Sequence, residues 1–127
     1  MKLGLFMLGG GHHIAAWRDP STQKGAALDI QHYIEIARIG ERGLFDFIFT
    51  ADTNAFFYGD DIHKLRRTPE ALRLEPLPLL SALAMVTKTI GLICTATTTS
   101  HDPFQHYYPF HPYESNHANY RFYANIN

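Results

Sequence analysis

The sequence predicts an α/β fold built on a parallel sheet, and three observations carry that prediction. Short β-prone apolar runs alternate with stretches of helical periodicity. The joins from helix to strand are short, whereas those from strand to helix are long. Residues with chemistry to offer gather in the long joins. Alternation of this kind implies parallel strands connected by right-handed crossovers.

In chain order, Lys2 to Leu8 is an apolar run closed by Gly9-Gly10-Gly11, which reads as a buried strand ending in a flexible turn. A polar loop follows, with Asp19-Pro20-Ser21 as a turn signal. From Leu28 to Arg42, Ile30, Tyr33, Ile34 and Ala37 recur at helical steps, with Leu44 just beyond, and that spacing turns one helix face to a core. Asp29 or Thr22 suits the start of this helix, and Gly43 the position after its end. Phe45 to Ala51 is β-prone and mostly apolar, as expected of a strand covered on both faces. Asn54 to Glu75 is a long charged loop with Asp60, Asp61, Lys64, Arg66 and Arg67. Pro76 and Pro78 introduce a second helix, Leu79 to Thr89, because a first turn has no use for the missing proline N–H. Ile90 to Ala96 is the third strand.

Composition bounds the function. Of 127 residues, 46% are hydrophobic and 18% charged. Such a chain can bury a core and offset its ordering entropy. Eleven basic against twelve acidic residues give no electrostatic case for nucleic acid or an anionic membrane. Cys94 is the only cysteine, which excludes an intramolecular disulfide and indicates a reducing, cytoplasmic setting. The apolar stretches fall short of the roughly 20 residues a membrane helix needs. Met1 to Phe6 is too short, and too soon followed by glycines, for a secretory signal.

The averages conceal a break near residue 104. All the Leu, all the Met and the one Val precede it. From Gln105 to Asn127 the aliphatic side chains shrink to Ala118, Ala124 and Ile126, while five Tyr, three His and four Asn enter. The chain therefore divides into a patterned body, 1–104, and an irregular tail, 105–127.

Two architectures share the strand–helix alternation, an open doubly wound sheet and the (β/α)8 barrel. A dinucleotide site on an open sheet needs G-x-G-x-x-G opening a helix. Gly9 and Gly11 meet the first spacing, but Ile14 stands at the sixth position and no helix follows at once. In a barrel, function gathers in the loops after the strands. The unusual residues lie there: Gly9 to Arg18, Ala51 to Tyr58, Thr95 to Phe104. The barrel is the better reading.

The candidate residues each carry two readings. Asp52, following the second strand, is a turn former or a polar anchor for a ligand. Thr95, with Thr97 to Thr99, offers hydroxyls either to nearby backbone or to a ligand. His12-His13 has no cysteine or acidic partner at zinc-like spacing, which argues against a metal. Trp17 and Phe56-Phe57 are pocket walls or lid packing. Cys94 reads as a small buried hydrophobe, and Arg66-Arg67 as a solvated loop face.

Several separated blocks go further than any single motif. They are Gly11-His12-His13-Ile14-Ala15-Ala16-Trp17-Arg18, Glu41 to Asp52, Glu75-Pro76-Leu77, Leu80 to Ala84, Val86-Thr87-Lys88 and Ile90-Gly91-Leu92. In this order they resemble the flavin-dependent monooxygenases of the bacterial-luciferase-like superfamily, in the branch of nitrilotriacetate, dibenzothiophene-sulfone and pristinamycin synthase components. The resemblance implies a partial TIM (β/α)8 barrel, its first three βα units, since a whole barrel takes roughly 250 residues. It also implies reduced FMN supplied by a separate NAD(P)H-dependent flavin reductase. The reaction implied is oxygenation by O₂ of a small organic substrate, often at a C–N or C–S bond. The protein's share is to position the isoalloxazine and exclude water. By resemblance, Asp52 and Thr95 contact the flavin, His12 and His13 are catalytic, and Trp17 and Phe56 line the substrate pocket.

The resemblance ends near Phe104, and the tail reads as out-of-frame or unselected sequence. Three strands alone leave open sheet edges, so the expectation is weak FMN binding, no turnover, and pairing of copies through the third strand. The rival expectation is a non-catalytic small α/β module that binds flavin or oligomerises.

Overall fold

The computed structural model describes residues 1–13, 15–52, 63 and 72–95. The Arg66-Arg67 pair, Phe56-Phe57, Thr97 to Thr99 and the tail lie outside them. The described elements run β1 (Gly4–Phe6), α1 (Ile30–Arg42), β2 (Phe47–Thr50), α2 (Pro76–Ala84) and β3 (Gly91–Cys94). The strands form one parallel sheet in the order β1-β2-β3. The alternation and its parallel sheet are as expected, though every strand is shorter than its apolar run.

Helix α1 begins at Ile30 because the Asp29 carboxylate accepts the Gln31 amide at 2.9 Å. Thr22, the other candidate cap, instead donates its hydroxyl to the Ala16 carbonyl at 2.7 Å. The helix buries Tyr33, Ala37 and Gly40 and leaves Ile39 exposed. Gly43 is the residue after its end, as expected. The Phe45 amide returns to the Gly40 carbonyl and the Leu44 amide to Glu41, both at 3.1 Å. That six-to-one and five-to-two pairing is a Schellman ending, whose left-handed position falls one residue after the cap. Gly43 has φ −76°, and Leu44 takes the left-handed conformation at φ 58°.

Helix α2 starts three residues earlier than its apolar pattern and stops five earlier. The Glu75 carboxylate caps the Leu77 amide at 3.0 Å, and both prolines fall in the first turn. At the far end the Met85 and Val86 amides turn back to Ala82 and Leu83. The next amides, Lys88 to Ile90, all donate to a carboxylate of α1, which ends the helix.

Register assigns each sheet residue to a face. Leu5, Ile48 and Leu92 form one row; Phe6, Phe49 and Ile93 form the next. Successive side chains of a strand point to opposite faces. Ile48, Thr50, Leu92 and Cys94 are buried and belong with Tyr33, Ala37, Leu80 and Leu83 to the core between sheet and helices. On the opposite face Phe49 and Ile93 are half-buried and Phe6 is 42% exposed. β2 is therefore not covered on both faces as expected, because α1 and α2 pack on one side only. On the open face the Phe47 ring lies over Gly4, where an added Cβ would collide with it.

Two carboxylates fasten the N-terminal end of the sheet. Asp46 donates its amide to the Leu3 carbonyl and accepts the Gly91 amide, both at 2.8 Å. Its carboxylate takes the Leu3 amide and the Lys2 ammonium at 2.7 Å each. Those bonds hold its carboxyl below the usual range, the Lys2 bond most strongly. Glu41 accepts the amides of Lys88, Thr89 and Ile90 and the Thr89 hydroxyl on a single oxygen. Partial burial pushes its carboxyl up, but these four donors outweigh it and bring it down to about 2.

Candidate functional site

The opposite, C-terminal end of the sheet is held by neutral groups. Past the last ladder pair the Thr95 amide donates to the Thr50 carbonyl at 3.3 Å. The Asp52 amide donates to the Thr95 hydroxyl oxygen at 2.7 Å. Two candidates drawn from sequence positions 43 residues apart are thus in direct contact. The threonine hydroxyl acts there as acceptor, so its own O–H remains a donor.

The loop after β1 brings His12 to the open face. The Met7 amide extends the ladder to Phe49, and a turn closed from Gly11 to Leu8 follows, with Gly11 at φ 82°. His12 Nε2 lies 3.0 Å from the Phe6 carbonyl oxygen. A carbonyl only accepts, so Nε2 carries the proton and Nδ1 of the neutral ring is the acceptor. The ring meets Phe6 edge-on at 5.2 Å, and Phe6 meets Phe49 at the same separation. His12 therefore sits on the aromatic row of the uncovered face.

His13 is exposed and accepts the Ala15 amide on Nδ1 at 3.1 Å, so its neutral ring presents Nε2–H outward. Trp17 lies in the short 3₁₀ turn Ala16–Arg18, 38% exposed, with the Arg18 guanidinium 5.0 Å from its ring centre. Phe56, the other expected pocket wall, lies outside the described residues. The structure therefore joins Asp52 to Thr95, lays His12 on the adjacent open face, and leaves His13 and Trp17 on the loop surface.

Cys94 is buried at the end of β3, and burial pushes its thiol up to about 11, helped by the negative charges of Glu75 and Asp52. It is a poor nucleophile there. The same electrostatics shows that two carboxylates face this end of the sheet. Glu75 was quoted in the resemblance without a role; the Glu-Pro opening of α2 was the signal that it caps a helix at the functional rim.

Sequence reading also missed a cleft. It is open to solvent and is lined by Leu8, Gly9, Gly10, Tyr33, Thr50 and Arg73 among others. None of the candidates among the described residues lines it. Tyr33 donates its hydroxyl to the Ala27 carbonyl at 3.1 Å, and its burial raises the phenol against the opposing charge of Arg73. Gly9 is obligatory at this wall, since an added Cβ would stand 2.5 Å from Ala27 Cα and 2.3 Å from the Tyr33 hydroxyl. Among the described residues no group of three His, Cys, Asp or Glu is placed to hold a metal.

Parallel strands that follow one another in space as in sequence, covered by helices on one face, are the repeating βα arrangement of a barrel wall. Comparison with known proteins agrees with that class. No protein-family model matches the chain. Nitrilotriacetate monooxygenase component A of Aminobacter aminovorans is 46% identical over 111 residues, 82% of this chain and 24% of that protein. N-acetyl-S-(2-succino)cysteine monooxygenase of Bacillus subtilis is 42% identical over 105 residues, 82% of this chain and 22% of its own length. The crystal structure of a riboflavin lyase with modified FMN and riboflavin superposes with TM-score 0.71 at 27% identity, over 85% of this chain and 25% of that one. Over this stretch the chain belongs to the bacterial-luciferase-like monooxygenases. It spans about a quarter of the length of the relatives it matches.

Proposed function

We propose that this chain is the opening three strands of a (β/α)8 barrel that binds reduced FMN and oxygenates a small organic substrate with O₂. The observation that carries the reading is the Asp52–Thr95 hydrogen bond at the C-terminal ends of adjacent strands, where barrel enzymes gather their function. The residues present suit a flavin. Phe6, Phe49 and Ile93 offer an apolar face the width of three strands, and the rim beside it carries the Asp52 carboxylate and the Thr95 O–H. The bound flavin would supply the redox chemistry. The chain's own residues hold and orient it, and the aromatic row keeps water away from one side.

His12 presents Nδ1 as an acceptor beside that face and His13 presents Nε2–H, and the resemblance implies that Trp17 and Phe56 belong to the substrate pocket. The reduced flavin comes from an NAD(P)H-dependent flavin reductase, a reading supported by the printed "component A" of the nitrilotriacetate relative. The substrate class is a small organic molecule with a C–N or C–S bond. The two curated relatives act on a tertiary amine and a thioether, each bearing several carboxylates. The setting is cytoplasmic.

The chain by itself supplies three strand ends of such a site, so it binds FMN weakly and does not turn over. The test is a chimera in which residues 1–95 replace the matching quarter of nitrilotriacetate monooxygenase. With a flavin reductase, NADH and nitrilotriacetate, the chimera should consume O₂ in a substrate-dependent way. A folded chimera that takes up no FMN would overturn the proposal.

A further inference from the structure

The cleft beside Arg73 shares Thr50 with the strand end that carries the Asp52–Thr95 contact, but neither Asp52 nor Thr95 lines it, and its residues have the chemistry of a binding site of their own. Beside the buried Thr50, its polar lining includes groups that can donate. Arg73 is half-buried, and among the described residues its guanidinium has neither an ion pair nor a hydrogen bond. The amides of Gly9 and Gly10, which also line the cleft, donate to no acceptor among the described residues. The Tyr33 hydroxyl is already committed to Ala27. Its apolar wall is Met7, Leu74 and Leu79. A half-buried cation beside uncommitted amides favours an anion, because the cost of desolvating it is recovered only by an opposite charge or strong acceptor. The aliphatic wall of this open cleft suits a small molecule that lays an apolar body along it.

We infer that this cleft binds a small carboxylate, with its anion on Arg73 and the Gly9–Gly10 amides and its hydrocarbon body against Met7, Leu74 and Leu79. The inference stands without the flavin reading, since it uses none of the residues assigned to the flavin.

The full chain, free of flavin, is titrated with hexanoate, with hexanamide as the neutral isostere and with inorganic phosphate as charge without a body. Binding is followed by the ¹H–¹⁵N shifts of Gly9 and Gly10. Hexanoate should move both amides in a saturable way, and hexanamide and phosphate should bind at least ten-fold more weakly. Arg73→Gln should weaken hexanoate at least ten-fold, as expected for loss of a charge-assisted pair. Leu72→Asp, at an exposed position on the cleft's edge, should weaken it as well while the melting temperature stays unchanged. Arg73→Lys should recover part of the affinity. Equal binding of hexanamide or phosphate, unchanged affinity in Arg73→Gln, or no saturable response to hexanoate would each overturn the inference. Because flavin is absent throughout, a failure here leaves the chimera result untouched, and failure of the chimera leaves this one.

Discussion

The two ends of the same three-stranded sheet are built from different chemistry. At the N-terminal end, ionised carboxylates do the fastening: Asp46 ties β1 to β2 and β3, and Glu41 gathers three successive amides ahead of β3. At the C-terminal end the described ties include one threonine hydroxyl and the backbone bonds from Met7 to Phe49 and from Thr95 to Thr50. There the candidate side chains collect: Asp52, the Thr95 O–H, His12 Nδ1 and, on the cleft beside Thr50, the Arg73 guanidinium. A barrel wall can afford this division because its strands all point one way. The end they leave from secures the fold, and the end they point to is left open to chemistry.

That contrast sets a ranking of effects. The largest belongs to neither end. Ile48 is fully buried in the middle row, and Ile48→Ala should cost about 2–5 kcal/mol in urea unfolding, which sets the scale for the rest. Next comes Glu41→Gln at the secured end, about 1–2 kcal/mol after discounting for the water that reaches this carboxylate. The pH dependence has a definite sign. The Glu41 carboxyl is lowered on folding from 4.5 to about 2, so its contribution is complete above about 4.5 and fades as pH falls towards 2. Thermal melts from pH 6 to 2 should show a wild-type decline that Glu41→Gln lacks in this interval. Parallel curves for both proteins would remove Glu41 from its role.

Smaller effects sharpen the open end. Thr95→Val deletes the acceptor of the Asp52 amide and should cost about 1 kcal/mol, while Thr95→Ser should keep it. Hydrogen exchange at the Asp52 amide reads this directly: fast in the valine variant, protected in the serine one. The smallest effect is a gain. Leu44 holds the left-handed conformation at the end of α1 while its side chain is 85% exposed. Leu44→Gly should therefore stabilise the chain by about 0.5–1 kcal/mol. A loss would mean that the leucine makes contacts that outweigh the strain.

Much of this was legible in the sequence, for reasons that differ by element. The alternation of apolar runs with helical periodicity gave the parallel sheet, because each period reflects a geometry the backbone imposes. Asp52 and Thr95 were each named through the resemblance, at the ends of two strands, and parallel register brings such places side by side. What stayed hidden was nonlocal. The early end of α2 depends on Glu41, nearly fifty positions away, capturing the amides of 88–90. The half-covered face of β2 depends on which side both helices pack, which an apolar run does not encode. Gly43 was rightly read as the residue after α1, but the left-handed conformation at Leu44 stayed hidden, because a leucine gives no local signal for it and the hydrogen-bond register of the helix end imposes it. The Arg73 cleft had no motif, since its walls come from the loop after β1, from α1, from the end of β2, and from α2 with the segment ahead of it.

Asp46 and Asp52 bracket β2, one before it and one after it, and they give the most direct test of the claim that the C-terminal strand ends hold the flavin. In the chimera with nitrilotriacetate monooxygenase, FMN affinity by flavin fluorescence and the unfolding midpoint are measured for Asp46→Ala and Asp52→Ala. The account predicts that Asp52→Ala weakens FMN at least ten-fold with the midpoint unchanged, and that Asp46→Ala lowers the midpoint while the remaining folded protein binds FMN normally. Unchanged FMN affinity in Asp52→Ala would contradict it.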